Sequence, residues 1–464
     1  LIGWLLAAAT GALGVDTLAV RAVPLVAGVL TILVAARAAR GLYGERAAGI
    51  GALALMAMPM VGVGLIAATP DAPLALLWAL FAWQLTRALR VDAPATRFER
   101  LGRPALLGAI AGLAFLAKYT GALLPVGAVA AVLATGQRHW LCRPGFWLGG
   151  AVFAAATAPV WIWNARHGWA GVLHRLVWTQ QEAGFSAKNL GALVGGQLLY
   201  VGPAALALFF LVARAAVADA RRLGRDGPSD PARRGTVALA ALALPTLLVT
   251  TALMLWSDVA EPHWAGPAYL PLAIAAAGRV ADGGRCARRL ARGAIGYGLV
   301  ALGLLHVLVQ TPLLPAALPE RWYEPRHDLG NELRGWDAVG DALRALPARP
   351  VVSGFYTQCA QLRVELAGDA ERPVRCASEA LSDFDLWHGP FRLDERGAWF
   401  VTDDRFDHDP LERVAGAALD GPPRRVVVER GGRVVRRFSI QGLAPAESAR
   451  ATRGARFEPR PLLR

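Results

Sequence analysis

The residues of this chain that could do acid–base or phosphate chemistry fall in short polar breaks between long apolar runs. Asp71 is the only carboxylate of the break Ala68-Thr-Pro-Asp-Ala-Pro-Leu74. An ionisable residue at the mouth of a membrane-spanning segment is costly unless it has a function, so Asp71 is a candidate catalytic carboxylate. An equally good alternative is that Asp71 caps the helix that starts at Ala72-Pro73, since Asp before Pro is a common helix start. The two roles do not exclude each other.

Further polar residues interrupt the apolar runs at alternate ends. They are Lys118 and Tyr119, then Asn164, Arg166, His167 and Trp169, and then Asp258, Glu261, His263 and Trp264. An anionic phosphate needs cations, for which Lys118 and Arg166 are the candidates. A sugar ring needs aromatic and imidazole faces with polar acceptors. The candidate substrate-binding residues are therefore Tyr119, His167, Glu261, His263 and Trp264.

Each of these residues also has a purely structural interpretation. Lys118 could be an interfacial lysine whose amine reaches for water. Trp163, Trp169, Trp256 and Trp264 fit an aromatic belt at a membrane surface. His263 could cap a helix. The sequence leaves these alternatives open.

The elements that must position these residues are membrane-spanning helices. The chain has 464 residues, of which 55% are hydrophobic and 18% are charged, and apolar runs near 20 residues recur. The net charge of +14 fits basic membrane-flanking loops rather than nucleic-acid binding. The sequence begins at Leu1 within an apolar stretch and shows no signal peptide, so we expect that another segment precedes it.

About ten spans follow an interfacial or partial helix over residues 1–20. They are 22–36, 47–66, 73–89, 105–117, 119–136, 146–163, 192–214, 235–256, 264–280 and 293–313. The run 105–117 is short for ~30 Å of hydrocarbon. It therefore forms either a tilted span or one broken helix together with 119–136.

Charge separates the two options. Nearly all arginines before residue 300 lie in alternate loops, whereas the opposite loops carry only Lys118, Arg166, Arg175 and Lys188. The positive-inside rule places the arginine-rich loops in the cytoplasm, and the alternation holds only if 105–117 and 119–136 both cross. Asp71 and the other candidate residues then face outward, towards the periplasm of a bacterial inner membrane.

From residue 314 the composition changes to that of a small α/β domain. We expect a helix over 333–346, strands over 350–355 and 398–402, and a β-hairpin over 424–440 that turns at Gly431-Gly432. The predicted domains are thus the spans over 1–313, a periplasmic domain over 314–445 and a loosely ordered tail over 446–464.

The four cysteines do not form a metal-binding spacing. Cys359 and Cys376 both lie in the outward domain, where they either form a disulfide or remain buried thiols. Acids are nearly absent from the spans, which argues against a proton- or sodium-coupled transporter. Nucleotide-binding and hydrolase motifs are also lacking.

The order of several short motifs resembles the membrane glycosyltransferases of GT-C type, family 39. These include protein O-mannosyltransferases and lipid A aminoarabinose transferases. The matching pieces are Arg21-Ala-Val-Pro24, Ala68-Thr-Pro-Asp-Ala-Pro-Leu74, Gly112-Leu-Ala-Phe-Leu-Ala-Lys-Tyr-Thr120, Pro159-Val-Trp-Ile-Trp-Asn164, His167-Gly-Trp169 and Glu261-Pro-His-Trp-Ala-Gly-Pro-Ala-Tyr-Leu-Pro271. The resemblance covers residues 1–313 well and the C-terminal domain more loosely.

The resemblance implies a GT-C-like fold, a polyprenyl-phosphate sugar donor, a lipid or glycan acceptor and transfer on the outer membrane face. It assigns Asp71 to the second acidic position and Lys118 to the donor phosphate. The acidic pair that such enzymes carry in their first outward loop lies outside this sequence, so a complete chain of this length would be an inactive relative. Some members use a divalent metal ion, and a single aspartate leaves that requirement open.

Two functions remain from the sequence. The first is an inner-membrane glycosyltransferase that moves a sugar from a polyprenyl phosphate to a hydroxyl or phosphate. The second is a non-enzymatic polyprenyl-lipid carrier or assembly protein that works through its outward domain.

Overall fold

The structure is a computed structural model. It describes residues 1–64, 66–90, 96–177, 180, 183–226, 230–257, 261–378, 382–389 and 391–445. The chain divides into two compact units, Leu1–Gly303 and Leu304–Arg464. The sequence places the division a little later, at 313/314. The predicted tail, 446–464, lies outside the described residues.

The first unit is a bundle of α-helices. They are α1 (Ile2–Leu13), α2 (Thr17–Tyr43), α3 (Glu45–Ala57), α4 (Pro59–Gly64), α5 (Asp71–Leu89), α6 (Arg103–Ala117), α7 (Leu123–Ala134), α8 (Pro144–Arg166), α9 (Ala170–Leu176), α10 (Ala187–Tyr200), α11 (Pro203–Asp226), α12 (Pro231–Trp256), α13 (Gly266–Ala281) and α14 (Arg285–Gln310). Within the described residues, seven helices are long and apolar enough to cross a membrane by length and composition. The predicted polytopic helical class is therefore confirmed.

Two predicted spans are not continuous helices. The span 47–66 breaks at Met58, where extended backbone separates α3 from α4 before Pro59. The span 192–214 breaks between α10 and α11, where Gly202 has a positive φ of 92° and precedes Pro203. Proline lacks the N–H that would continue a helix, and glycine tolerates the left-handed backbone. Apolar periodicity cannot detect such breaks because both halves remain hydrophobic.

The ambiguous runs 105–117 and 119–136 form two helices, α6 and α7, joined by a tight turn. Lys118 is extended (φ −156°, ψ 140°), and a 3₁₀ turn follows over Tyr119–Ala122. A Cβ at Gly121 would lie 2.3 Å from the backbone carbonyl carbon of Ala114. This turn therefore folds back onto the last turn of α6, as two crossing helices require.

Arginines hold the helix ends that lie opposite Asp71. The guanidinium of Arg234 donates to the carbonyl oxygen of Leu89 at 3.1 Å, at the end of α5. Arg90 donates to the carbonyl oxygen of Gly41 near the end of α2. The C-termini of α2 and α5 and the N-terminus of α12 thus meet at one end of the bundle, in agreement with the predicted alternation of loops.

The second unit contains a five-stranded sheet with the order β2-β1-β3-β5-β4. The strands are β1 (Val351–Ser353), β2 (Val374–Cys376), β3 (Ala398–Asp403), β4 (Ala417–Arg430) and β5 (Arg433–Pro445). Strands β1, β2 and β3 run parallel, and β5 pairs antiparallel with β3 and β4. The predicted hairpin is present, and Gly431 and Gly432 both have positive φ at its turn.

Short helices surround this sheet. They are α15 (Leu313–Ala317), α16 (Leu329–Glu332), α17 (Trp336–Arg344), α18 (Tyr356–Glu365), α19 (Asp383–His388) and α20 (Pro410–Arg413). Trp336, Leu343, Leu362 and Phe438 pack in the core between helices and sheet. The structure also decides between the two cysteine alternatives, because Cys359 on α18 and Cys376 on β2 form a disulfide.

Candidate functional site

Asp71 lies at the first residue of α5 and pairs with a lysine from the next hairpin. The Lys118 amine donates to Asp71 Oδ1 at 2.8 Å, and each side chain is about a quarter exposed. Asp71 is thus at the helix start, but Pro70 rather than Asp71 is the N-cap, and no side-chain capping hydrogen bond is present. The described side-chain contacts of Asp71 go to Lys118 and His263.

The turn after α6 fixes the position of Lys118. The Lys118 N–H still donates to the carbonyl oxygen of Ala114 at 2.9 Å, and its own carbonyl accepts from the Gly121 N–H at 2.8 Å. Gly121 packs on the α6 backbone so closely that a larger residue would displace the turn. The lysine is therefore held at both sides by backbone hydrogen bonds while its side chain extends to Asp71.

A third loop, between α12 and α13, brings a histidine to the same carboxylate. His263 Nε2 lies 3.9 Å from Asp71 Oδ2, and His263 Nδ1 lies 3.9 Å from Glu261 Oε2. His263 is in a 3₁₀ turn over Pro262–Ala265 whose start is closed by a hydrogen bond from the Trp264 N–H to the Glu261 carbonyl. Asp71, Lys118, Glu261 and His263, which are far apart in sequence, thus meet at one end of the bundle.

Two residues that the sequence did not single out support this loop. Gln197 donates from its amide to the Pro262 carbonyl at 2.8 Å, and the Tyr269 hydroxyl donates to Gln197 Oε1 at 2.7 Å. Gly196 lets α10 approach Pro262, since a Cβ there would lie 2.3 Å from the proline ring. A polar residue beside a glycine pair inside an apolar run was the only local signal for Gln197.

The surroundings of His263 favour its neutral form. Burial lowers the pKa of His263 below its usual 6.5, and the nearby Lys118 cation lowers it further. Asp71 and Glu261 act in the opposite direction. At neutral pH the imidazole is therefore an uncharged hydrogen-bonding group beside a carboxylate and an amine.

Tyr119 connects this cluster to the loop after α8. Its ring packs on Phe115 with centroids 5.3 Å apart. A Cβ at Gly171 would lie 3.0 Å from the Tyr119 hydroxyl oxygen and 3.1 Å from Asn164 Oδ1. Asn164 is buried and accepts a hydrogen bond from the Val172 N–H, which closes the loop. The third polar break of the sequence thus lies beside the second.

The described contacts do not join the remaining predicted site residues to Asp71. Arg166 is exposed at the last residue of α8. The His167 ring stacks on Trp163 at 4.3 Å, and its Nδ1 lies 2.8 Å from the Trp163 carbonyl oxygen. The described contacts do not bring Arg166 or His167 to Asp71. Trp264 is partly buried in the turn that carries His263.

Asp258, another acid of the predicted set, lies outside the described residues. Within the described part of the chain, no group of three His, Cys, Asp or Glu side chains has an arrangement that could hold a metal ion. The side chains of the site differ in their chemistry. They provide a carboxylate, an amine and a neutral imidazole.

Comparisons with known proteins agree with this architecture. Residues 1–163 match the family model of dolichyl-phosphate-mannose-protein mannosyltransferases. The fold is similar to two crystal structures of ArnT from Cupriavidus metallidurans, at 17% sequence identity. One is bound to undecaprenyl phosphate, with a TM-score of 0.59 over 95% of this chain and 87% of that one. The other is in the apo state, with a TM-score of 0.58 over 95% of this chain and 86% of that one.

A search of curated proteins finds no match. The structural similarity concerns the fold and extends over nearly the whole chain. The family match covers the N-terminal third, which includes Asp71 and Lys118. The predicted resemblance is confirmed at this level. The chain is a polytopic membrane protein of the GT-C fold, similar to the family 39 glycosyltransferases.

Proposed function

We propose that the protein is a membrane glycosyltransferase that moves a sugar from a polyprenyl-phosphate donor to an acceptor hydroxyl or phosphate. The observation that carries the proposal is the Asp71–Lys118 pair, joined by His263 at one end of the bundle. The likeness to ArnT, which was crystallised with undecaprenyl phosphate, supports the choice of donor. The family match over residues 1–163 supports the reaction class.

The residues suit such a transfer. In the reaction the acceptor oxygen bonds to the anomeric carbon, and the bond from that carbon to the phosphate oxygen breaks. Lys118 compensates the charge that develops on the departing phosphate. Asp71 accepts the proton when the acceptor is a hydroxyl. The 2.8 Å contact between the two groups holds a base and a phosphate-binding cation side by side.

The remaining substrate contacts belong to the neighbouring loops. Neutral His263 can orient an acceptor or sugar hydroxyl beside Asp71, and Glu261 can accept from another hydroxyl. Tyr119 and Trp264 provide ring faces for the sugar. Arg166 and His167 lie further along the same set of loops and are assigned to the outer part of the donor.

The cysteines support an orientation with the site on the periplasmic face of a bacterial inner membrane. Cys359 and Cys376 form a disulfide in the second unit. Cys142 and Cys286 are exposed free thiols beside the arginine-rich loops. Disulfides persist in oxidising compartments and are rare in the cytosol. The positive-inside rule assigns the arginine-rich side to the cytoplasm independently.

The decisive experiment separates donor binding from transfer. Full-length protein is reconstituted in liposomes, and release of polyprenyl phosphate from a panel of undecaprenyl-phosphate sugars is measured. We expect Asp71→Asn to lower the transfer rate by about 10²–10⁴-fold, the usual loss on removal of a general base. Binding of undecaprenyl phosphate should change little, because asparagine keeps the size of the side chain and Lys118 remains.

Asp16→Asn is the matched control. Asp16 caps α2 by accepting from the Ala19 N–H, and asparagine is an equally good cap. This variant should keep the wild-type rate. Normal transfer by Asp71→Asn would refute the proposed role of Asp71. Donor binding by the wild type without transfer to any acceptor would favour the non-enzymatic carrier instead.

A further inference from the structure

A large apolar cavity of the first unit lies far from Asp71, at the opposite end of the bundle. It has a volume of about 200 Å³ and is walled by α5, α6, α7 and α8. Leu89, Pro104, Trp140 and Phe146 line it, and its surface is almost wholly apolar. Leu89 ends α5, whereas Pro104 and Phe146 begin α6 and α8. The cavity therefore opens in the half of the bundle that carries the arginine-rich loops.

One arginine beside this cavity is buried without a hydrogen-bond acceptor among the described residues. Arg103 directly precedes the lining residue Pro104 and is 6% exposed. Its Nε is buried without a hydrogen-bond acceptor, and none of its described contacts is a hydrogen bond or ion pair. The guanidinium lies 5.8 Å from the Phe98 ring centroid, with Arg87 and Glu99 as the nearest charges that act on it.

A buried cation without an acceptor is costly, so an anion at this position would stabilise the protein. Glu99 precedes it on the same stretch of chain and acts on it electrostatically, while its described hydrogen bonds go to Thr96. Arg87 adds a second cation, which is exposed and lies over the Trp83 ring at 5.6 Å. The position therefore favours an external anion.

The aromatic residues at this end fit a lipid boundary. The Arg143 guanidinium lies 4.6 Å from the centroid of the Trp140 ring, and Trp140 both lines the cavity and has a buried Nε1 without an acceptor. Trp147 also lines the cavity, is 67% exposed and donates to the Leu141 carbonyl. Tryptophan and arginine together are typical of the headgroup level of a membrane.

We infer that this end of the bundle is a binding site for an anionic phospholipid of the leaflet on the arginine-rich side. One acyl chain fills the cavity between α5 and α8. The phosphate lies against Arg103, with Trp140 as a further donor. Charge complementarity and the buried Arg103, whose Nε has no acceptor, argue for this occupant. The site is distinct from the proposed donor site at Asp71.

The test is native mass spectrometry of the full-length protein in detergent, titrated with phosphatidylglycerol or with phosphatidylcholine of the same acyl chains. We expect one phosphatidylglycerol to bind about fivefold tighter than phosphatidylcholine, the factor typical of one basic residue near an anionic headgroup. Arg103→Gln should abolish this preference, and Arg103→Lys should keep it. Arg221→Gln, on an exposed α11 arginine of the same side, is the charge control.

Filling the cavity tests the acyl chain separately. Gly150 lines the cavity and has open space around its Cβ position, so Gly150→Phe should fold and lower binding of both lipids. Gly296→Phe, at an equally open position on α14, should not. Equal binding of the two lipids by the wild type, or an unchanged preference in Arg103→Gln, would overturn the inference. The inference would also be overturned if undecaprenyl phosphate displaced phosphatidylglycerol from the wild type and Gly150→Phe abolished this displacement. The cavity would then bind the donor.

Discussion

The two units of this protein each contain acid–cation pairs, and the pairs differ in how completely they are surrounded. Asp71 and Lys118 share one hydrogen bond, and each side chain is about a quarter exposed. In the second unit, the side chains of Asp403 and Arg436 are 0% and 3% exposed. An aspartate paired with a basic side chain is thus partly exposed in one unit and fully enclosed in the other.

The enclosed pair is saturated with partners. Arg436 donates to Asp403 Oδ2 and to the carbonyl oxygens of Glu332 and Arg334, and its guanidinium lies over the rings of Trp336 and Phe438. A second enclosed pair in this unit repeats the pattern, as Arg430 donates to Asp328, to Asn331 and to the carbonyl oxygens of Leu308 and Val309.

The comparison teaches how to separate structural from functional ion pairs. In a buried pair, the hydrogen bonds to neighbouring residues fix backbone segments. Few donors or acceptors of such a pair remain for a ligand. In the partly exposed Asp71–Lys118 pair, further lone pairs of the carboxylate and N–H groups of the amine can bind a hydroxyl and a phosphate. The following predictions test this difference, beginning with the largest expected effect.

Among these predictions, we expect the largest loss of stability when the acid of the buried Asp403–Arg436 pair is removed. Asp403→Ala leaves Arg436 buried without its counterion and removes the acceptor for the Arg405 and Phe406 N–H groups. We expect a loss of about 3–5 kcal/mol, measured by hydrogen exchange of β3 and β5 in the full-length protein.

Asp341→Ala, in an exposed pair with Arg344, is the control and should change stability by less than about 1 kcal/mol. Equal effects of the two substitutions would show that burial does not distinguish these pairs.

The disulfide should contribute somewhat less than the buried pair. Cys359 and Cys376 are 17 positions apart, and closing a loop of this size stabilises a fold by about 3 kcal/mol. Cys359→Ser with Cys376→Ser should lower the protection of β1 and β2 in the same exchange experiment. The rate of transfer at Asp71 should not change, and loss of transfer without loss of protection would contradict this assignment.

In the open pair, the cation should act on ligand affinity rather than on folding. Lys118→Ala should weaken binding of undecaprenyl phosphate at least tenfold, since one charge-assisted hydrogen bond contributes about 1.5–3 kcal/mol. Isothermal titration in detergent measures the affinity. Lys188→Ala on α10 is the matched control, with an exposed lysine outside the cluster. A similar loss in both variants would indicate general electrostatic attraction.

The smallest effect concerns pH. Because the pKa of His263 lies below 6.5, the imidazole is neutral at pH 7 and becomes charged only as the pH falls through that lowered value. Protonation would place a second cation against Asp71 and slow the reaction several-fold on the acidic side of pH 6.5. Folding favours the neutral form, so acid below this pH also destabilises the protein slightly.

The pH–rate profile of His263→Gln should lose this acidic step while the rate at pH 7.5 changes little. A step of the same size and position in the variant would assign the titration to another group.

Much of the architecture could be predicted from local patterns. Long apolar runs predicted the helical bundle, and the alternation of arginines correctly separated α6 from α7. The Gly431-Gly432 turn was found because two positive φ angles select glycine. The breaks at Met58 and Gly202 were missed, since hydropathy does not report hydrogen-bond continuity.

The sequence by itself determined the membrane class, the polar breaks and the types of chemistry that Asp71, Lys118 and His263 can do. Those properties depend on composition and on neighbours along the chain. Only the tertiary structure decided that His263 rather than His167 contacts Asp71, and that the Nε of the buried Arg103 has no hydrogen-bond acceptor. Such contacts join residues far apart in sequence. They depend on close packing at glycines such as Gly121 and Gly196, which no local pattern encodes.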